Sequence, residues 1–154
     1  MSEDGQFSQH DGVDWAALGN VLNHDSGPNR GASTLTMQVV KNMLLWPGRS
    51  YLRKALEIPL ALLLDRLWGK KRILEIYLNT AEWGDHIYGA EAASRHYFHE
   101  PARNLSRFQA ALLASSLPNP FKRHAARPGQ HQLRLSSIIE TRMSGADEWL
   151  SCLK

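Results

Sequence analysis

The chain has 154 residues, a hydrophobic fraction of 43% and a charged fraction of 21%. These values are ordinary for a globular domain, and this length is enough to build one hydrophobic core. The net charge of +3 permits an anionic partner, such as a phosphate group or a membrane surface, but selects none. The single cysteine, Cys152, excludes an internal disulfide framework. No apolar run is long enough for a transmembrane helix.

The first part of the chain predicts two short helices separated by loops. Residues 1–13 are polar and predict a loop, whereas the apolar spacing over residues 15–22 predicts an amphipathic helix. After a Gly- and Pro-containing loop, the apolar residues that follow Thr34 recur every four positions and predict a second helix. The sequence Trp46-Pro47-Gly48 is expected to end that helix. Trp46 could touch a membrane there or pack locally.

The rest of the chain also reads as helical. A third helix is predicted to begin at Ser50, to kink at Pro59 and to break at Gly69. Residues 83–89 predict a tight aromatic loop, and almost no alternating strand pattern occurs, so the expected fold class is all-α. The further predicted helices are Lys70–Ala81, Ala90–Tyr97, Leu105–Leu117 and Gln130–Arg142.

Polar and charged side chains are concentrated between residues 31 and 57. They are Ser33, Thr34, Gln38, Lys41, Asn42, Arg49, Arg53, Lys54 and Glu57. Within each predicted helix many of them are three or four residues apart and share a face. Four cations with one carboxylate suit a phosphate or diphosphate, because Arg offers planar paired donors and Lys a point charge. A solvated, salt-bridged surface is the alternative, and on charge alone it is the commoner one.

Acidic and histidine side chains supply the other candidates for chemistry. Glu3 and Asp4 lie in a polar segment, and Glu57 lies in the cationic helix. Paired carboxylates are the usual equipment of glycosyl chemistry, although most acids in a sequence are surface charges. His96 and His99 could ligate a metal, but a surface or helix-capping role is the commoner use of such a pair.

Four motifs, in this order and spacing, resemble the peptidoglycan glycosyltransferases of glycosyltransferase family 51. They are EDGQFSQHDG at 3–12, GASTLTMQVVKN at 31–42, RKALE at 53–57 and KRILEIYLN at 71–79. Two further stretches continue the match: GAEAASRHYF at 89–98 and LLASSLPNP at 112–120. Each motif is weak alone, whereas the ordered set is specific.

The resemblance implies a lysozyme-like, largely helical glycosyltransferase fold with a small membrane-proximal lobe. It implies polymerisation of lipid II into β-1,4 glycan strands, with release of undecaprenyl diphosphate and inversion of the anomeric centre. By motif position, Glu3 is the general base for the acceptor hydroxyl, and Glu57 is the second acid, near the donor diphosphate. The substrate-binding positions implied in the same way are Ser33, Gln38, Lys41, Asn42, Arg49, Arg53 and Lys54.

The resemblance also implies cofactors, partners and a location. A divalent cation, usually Mg²⁺, is expected to assist the leaving group, with Glu57 as its protein ligand. The expected partners are lipid II and the growing glycan strand, a membrane surface, moenomycin-type inhibitors and other cell-wall synthesis proteins. Nucleic acid is not an expected partner, since the sequence contains no recognition motif for it. The expected location is the periplasmic face of the bacterial inner membrane.

Two departures from the family pattern qualify these expectations. Met37 stands where many members have a glutamine, so one polar groove contact is expected to be absent or replaced. The chain begins two residues before Glu3, so residues 1–154 are expected to be a single glycosyltransferase domain, truncated at its N-terminus and without the family's anchor helix.

Two other functions compete with the transferase. A lysozyme-like hydrolase would share the acids but has no use for the cation cluster, and a non-catalytic module could bind lipid diphosphate without turnover. For an inverting transferase, the carboxylates of Glu3 and Glu57 are expected to be at least as far apart as in inverting glycosidases, about 6.5–9.5 Å. Glu57 is also expected to face Arg or Lys rather than an apolar pocket.

Overall fold

The computed structural model describes residues 3–23, 33–46 and 51–145. The chain divides into two compact units, one comprising Asp4–Tyr77 and the other Leu78–Lys154 together with Met1–Glu3. Apart from one short hairpin, the regular structure in the described residues is helical. The predicted all-α fold class is therefore confirmed.

The unit Asp4–Tyr77 contains helices α1 (Trp15–Asn23), α2 (Leu35–Leu44) and most of α3 (Tyr51–Thr80). The four-residue period of α2 is confirmed on its inner face, where Leu35 and Val39 are buried, while Met43, one turn further on, is exposed. The core of this unit consists of Phe7, Val13, Leu35, Met37, Val39, Val40, Ala61, Leu64, Ile73, Ile76 and Tyr77.

Helix α3 tests two predicted interruptions. Gly69 has φ +69° and ψ 165° and breaks the helix as predicted. Pro59 does not break the helix, because Gly69 is the one residue inside α3 with non-helical dihedral angles. The predicted kink at Pro59 stays a prediction. Pro59 and Ala55, whose carbonyl loses its hydrogen bond to the proline, are both exposed. Water can therefore satisfy that carbonyl.

The unit that begins at Leu78 opens with an antiparallel hairpin of β1 (Glu82–Gly84) and β2 (Ile87–Tyr88). This hairpin occupies the segment that was predicted to be a plain loop, and strands of three and two residues are too short to show an alternating pattern. After the hairpin come α4 (Ala90–Phe98), a 3-10 turn at Ala102–Asn104, α5 (Arg107–Ser116) and α6 (Gln130–Met143).

Helices α5 and α6 pack through small and polar side chains. Ser136 donates to Ser115 at 3.2 Å, and Gln132 donates to Ser116 at 2.9 Å. These four side chains are buried, so their mutual hydrogen bonds satisfy polar groups that water does not reach. No helix within the described ranges combines the length and the apolar character that crossing a bilayer requires.

Candidate active site

The first motif caps the N-terminus of α2. The Asp4 carboxylate is 6% exposed, and its Oδ2 accepts a hydrogen bond from the Leu35 backbone N–H at 3.0 Å. The Thr34 hydroxyl accepts from the Met37 N–H at 3.2 Å and donates to the Gly12 carbonyl at 2.6 Å. Two of the free N–H groups at the start of α2 are thereby satisfied, one by each motif.

Asp4 is held in turn by His10. The His10 Nε2 lies 3.0 Å from Asp4 Oδ2 and 3.1 Å from Oδ1, and the Gln6 N–H donates to Oδ1 at 3.3 Å. Burial by itself would raise the pKa of Asp4, but the hydrogen bonds from His10 and Leu35 and the charge of His10 outweigh it. The net effect is a pKa below the ordinary value of 3.8, so Asp4 is an ionised structural group.

Gly12 ends the first motif against α3. Its φ is +89°, a region that L side chains rarely adopt, and an added Cβ would lie 2.6 Å from the Ala61 carbonyl oxygen. Phe7 is buried in the same unit. Four residues of this motif, at positions 4, 7, 10 and 12, therefore build the framework around α2, and Glu3 is left as its candidate for chemistry.

Glu3 is partly exposed and immediately precedes Asp4 in the chain. It makes contacts of its own in the structure. Glu3 and Glu57 fall in different compact units, so the expected separation of their carboxylates stays a prediction.

The second and third motifs meet at Glu57. This carboxylate is 2% exposed, with Arg53 Nε 3.3 Å from Oε1 and Lys54 Nζ 3.1 Å from Oε2. The Lys54 ammonium also donates to the Ser33 hydroxyl at 2.9 Å. Glu57 therefore faces two cations, as expected, and Ser33 joins them. We call Ser33, Arg53, Lys54 and Glu57 the Glu57 cluster.

Two atoms of the Glu57 cluster have unused hydrogen-bonding capacity. Arg53 Nε and Glu57 Oε1 are buried and close enough for an ion pair, yet they are not aligned for a hydrogen bond, and neither has another hydrogen-bond partner among the described residues. Buried polar atoms without partners are rare, and a catalytic role or an ordered water or ion is a usual explanation for them. Lys54 is 39% exposed, so its ammonium can be reached from solvent while its other contacts persist.

The remaining predicted binding residues are placed less tightly. Gln38 and Lys41 are partly exposed on α2, and Asn42 is exposed. Across the ranges that the structure describes, no hydrogen bond or ion pair of these side chains is formed. Arg49 lies outside the described residues.

One charged pair in the unit Asp4–Tyr77, formed by Lys70 and Asp65, was not predicted from the sequence. Lys70 Nζ lies 2.7 Å from Asp65 Oδ1, and Asp65 Oδ1 accepts from the Thr36 hydroxyl at 3.3 Å. Residues five apart do not share a face of a regular helix, so helical spacing gives no signal for this pair. The predicted break at Gly69 was the one sequence feature that could have pointed to it.

His96 and His99 take the surface and helix-capping roles that are the commoner use of such a pair. His99 ends α4 in the left-handed region, with φ +60°, and its N–H donates to the Arg95 carbonyl, which is the capping role. His96 stacks edge-on against Tyr97 and lines a surface cavity with His124 and Arg127. Within the described ranges, no three His, Cys, Asp or Glu side chains converge as metal ligands would.

Large apolar side chains are exposed at two places in the unit Asp4–Tyr77. One is the end of α2 with the residues after it, and the other is a stripe along α3 whose leucines are four, seven and four residues apart. They are Met43, Leu44, Trp46, Leu52, Leu56, Leu63 and Leu67. Such a spacing places the four leucines on one face of the helix.

Comparison with known proteins identifies the family. The sequence profile described as "Transglycosylase" matches residues 1–143. A protein of Brucella suis biovar 1 (strain 1330) named "Biosynthetic peptidoglycan transglycosylase" is 56% identical over 156 residues, covering 100% of this chain and 70% of the relative. A protein of the same name from Rhizobium meliloti (strain 1021) is 54% identical over 155 residues, covering 99% of this chain and 66% of the relative. The chain therefore belongs to the transglycosylase family, the peptidoglycan glycosyltransferases that its motifs resemble.

Proposed function

We propose that this peptidoglycan glycosyltransferase of cell-wall synthesis polymerises lipid II, with the Glu57 cluster receiving the diphosphate of the donor. The observation that carries the proposal is the Lys54 ammonium, held 2.9 Å from the Ser33 hydroxyl and 3.1 Å from the Glu57 carboxylate. An ammonium has three donors, and these two contacts leave one for a phosphate oxygen. Arg53, paired with the same carboxylate, adds a second fixed positive charge.

The proposed reaction is a single displacement. The acceptor 4-hydroxyl attacks the anomeric carbon of the donor, and its proton passes to the Glu3 carboxylate. The bond from that carbon to the diphosphate breaks with its electron pair remaining on the diphosphate, so the α-linked donor becomes a β-linked product. Lys54 and Arg53 act on the charge that develops on the leaving group, which fixed cations stabilise at no cost of reorganisation.

A divalent cation fits the cluster as a partial ligand set. Glu57 Oε1 is buried and accepts no hydrogen bond from the part of the chain that the structure describes, and a carboxylate oxygen is a ligand that Mg²⁺ prefers. Mg²⁺ commonly takes one or two carboxylates from the protein and completes its shell with substrate phosphates and water. Bound there, the ion would neutralise charge on the diphosphate.

Membrane contact follows from the proposed substrate, because lipid II is anchored in a bilayer by its undecaprenyl chain. The exposed leucines of α3 and the apolar end of α2 at Met43, Leu44 and Trp46 support this part of the proposal. Apolar side chains beside cations suit the boundary of an anionic membrane. We therefore propose that the enzyme works at the periplasmic face of the bacterial inner membrane.

The test is to supply the full-length protein with lipid II in one assay and with intact cell wall in another. New glycan strands from lipid II support the proposal, whereas cut cell wall without polymerisation would indicate a hydrolase. Binding of lipid II without turnover would indicate a non-catalytic module. Lys54→Met should abolish polymerisation, and Lys122→Met, which changes an exposed lysine on the loop before α6, should not.

A further inference from the structure

The Lys70 ammonium is enclosed by three groups from separate parts of the unit Asp4–Tyr77. Its Nζ lies 2.7 Å from Asp65 Oδ1, donates a hydrogen bond to the backbone carbonyl of His10, and lies 4.9 Å from the centre of the Phe7 ring. The side chains of Lys70 and Asp65 are 13% and 8% exposed. Two of the three contacts are with the first motif, and none is with the Glu57 cluster.

The break in α3 makes this arrangement possible. On an unbroken helix, residues five apart point in directions about 140° apart and do not pair. Gly69, with φ +69°, turns the chain between Asp65 and Lys70. An added Cβ at Gly69 would meet nothing within 4 Å, so glycine is used here for its backbone conformation and not for space.

A continuous path of contacts runs from Lys70 to the residue beside the expected base. Lys70 holds the backbone of His10, the His10 ring holds the Asp4 carboxylate at 3.0 Å, and Asp4 directly follows Glu3. Asp4 also holds the Leu35 N–H, and Asp65 holds the Thr36 hydroxyl, so both ends of the path are fixed to α2.

We propose that Lys70 is a positioning residue for glycosyl transfer, which acts by fixing the segment from Asp4 to Gly12 and thereby the approach of Glu3 to its substrate. This proposal rests on the proposed function. Lys70 is not part of the Glu57 cluster and is not the expected base, so in this proposal it does not stabilise the charge on the leaving group. Its removal should lower the rate of the chemical step and leave donor binding nearly unchanged.

The experiment compares Lys70→Met with Lys71→Met in the full-length protein, because Lys71 is the adjacent, exposed lysine. In Lys70→Met, kcat for lipid II polymerisation should fall about 10- to 100-fold, the cost of misplacing a catalytic group by about 1 Å. KM should stay within about threefold, because uniform binding is untouched. Lys71→Met should change neither quantity, and Lys70→Arg should restore part of kcat because it restores a cation.

Hydrogen exchange supplies a second readout that does not depend on activity. The Leu35 amide is bonded to Asp4, and the Gln9 amide is bonded to the Gln6 carbonyl at 2.8 Å. Both amides should exchange faster in Lys70→Met and at the wild-type rate in Lys71→Met, while amides of α5 remain unchanged.

The two readouts separate the possible failures. If wild-type protein does not polymerise lipid II, the proposed function fails, and exchange still decides whether Lys70 holds the segment. Unchanged exchange at Leu35 and Gln9 overturns the proposal whatever the activity. Faster exchange of these amides in Lys70→Met together with a wild-type kcat also overturns the proposal. A rise in KM that accounts for the whole loss of kcat/KM overturns it as well.

Discussion

Replacement of Glu57 by glutamine tests the Glu57 cluster most directly. The change keeps the size of the side chain and removes its charge, and it places an NH₂ group where one carboxylate oxygen now faces a cation. Arg53 and Lys54 would then repel each other without an intervening anion. Lys54 would keep its bond to Ser33, but its ammonium would no longer be fixed at two points.

The cost in stability can be worked out from the exposure of each partner. Lys54 is 39% exposed, so its pair with Glu57 contributes about 0.2–1 kcal/mol after solvent screening. Arg53 is 14% exposed but lacks hydrogen-bond alignment, so its pair is worth no more than the roughly 1.5–3 kcal/mol of a charge-assisted bond. The sum is at most about 4 kcal/mol, which lowers Tm by at most about 16 °C in a chain of this length. Such a variant stays folded, because folding free energies are about 5–15 kcal/mol.

The cost in activity should be much larger than the cost in stability. Loss of one preorganised group that stabilises developing charge typically lowers the rate by about 10²–10³-fold. The assay is polymerisation of labelled lipid II, with Tm measured on the same preparation. Glu140→Gln makes the same chemical change on α6, outside every motif, and should preserve both activity and Tm. A folded Glu57→Gln variant that polymerises within about threefold of wild type would refute the role of the cluster.

Three further predictions follow from the site. Glu3→Gln should lower polymerisation by about 10²–10⁴-fold with Tm unchanged, as loss of a general base does, and turnover close to wild type would remove Glu3 from that role. Lys41→Ala and Arg49→Ala should each weaken moenomycin binding, measured by calorimetry, by roughly 1.5–3 kcal/mol. If both variants bind moenomycin as tightly as wild type, these cations are ordinary surface charges. The pKa of Asp4 is lower in the folded protein than its ordinary value of 3.8. The contribution of Asp4 to folding stability is therefore complete above the unfolded-state pKa and is lost as pH falls through the lower folded-state pKa. Urea unfolding of Asp4→Asn should therefore show a flatter loss of stability than wild type below about pH 4, and identical pH profiles would contradict this account.

The helices were largely predictable from sequence, because each carries an apolar period and a punctuating residue. The break at Gly69 and the start of α2 at Leu35 are where the pattern indicates. The helix continues through Pro59, where water can reach the carbonyl one turn earlier, and a sequence does not show that exposure. The hairpin at Glu82–Gly84 and Ile87–Tyr88 was missed because strands this short have no period.

The parts of the candidate site that could be predicted from the sequence are those that helical spacing or a motif position indicates. Helical spacing pairs Arg53 and Lys54 with Glu57, and the structure places them as expected. Spacing does not reveal that Ser33 reaches Lys54, 21 positions further along the chain, or that Lys70 reaches His10, 60 positions away. Contacts between distant segments depend on how the elements pack, and for these no sequence period exists.

The backbone conformation at Gly12 limits which amino-acid substitutions this enzyme tolerates. Every missense change at that codon adds a Cβ, which would lie 2.6 Å from a main-chain oxygen of α3 in a conformation with φ +89°. A population under selection by an inhibitor therefore has no tolerated route to resistance through this position. An inhibitor whose contacts lie on the backbone between Asp4 and Gly12 would meet resistance mutations less readily than one that contacts the exposed side chains of Met43 or Leu44.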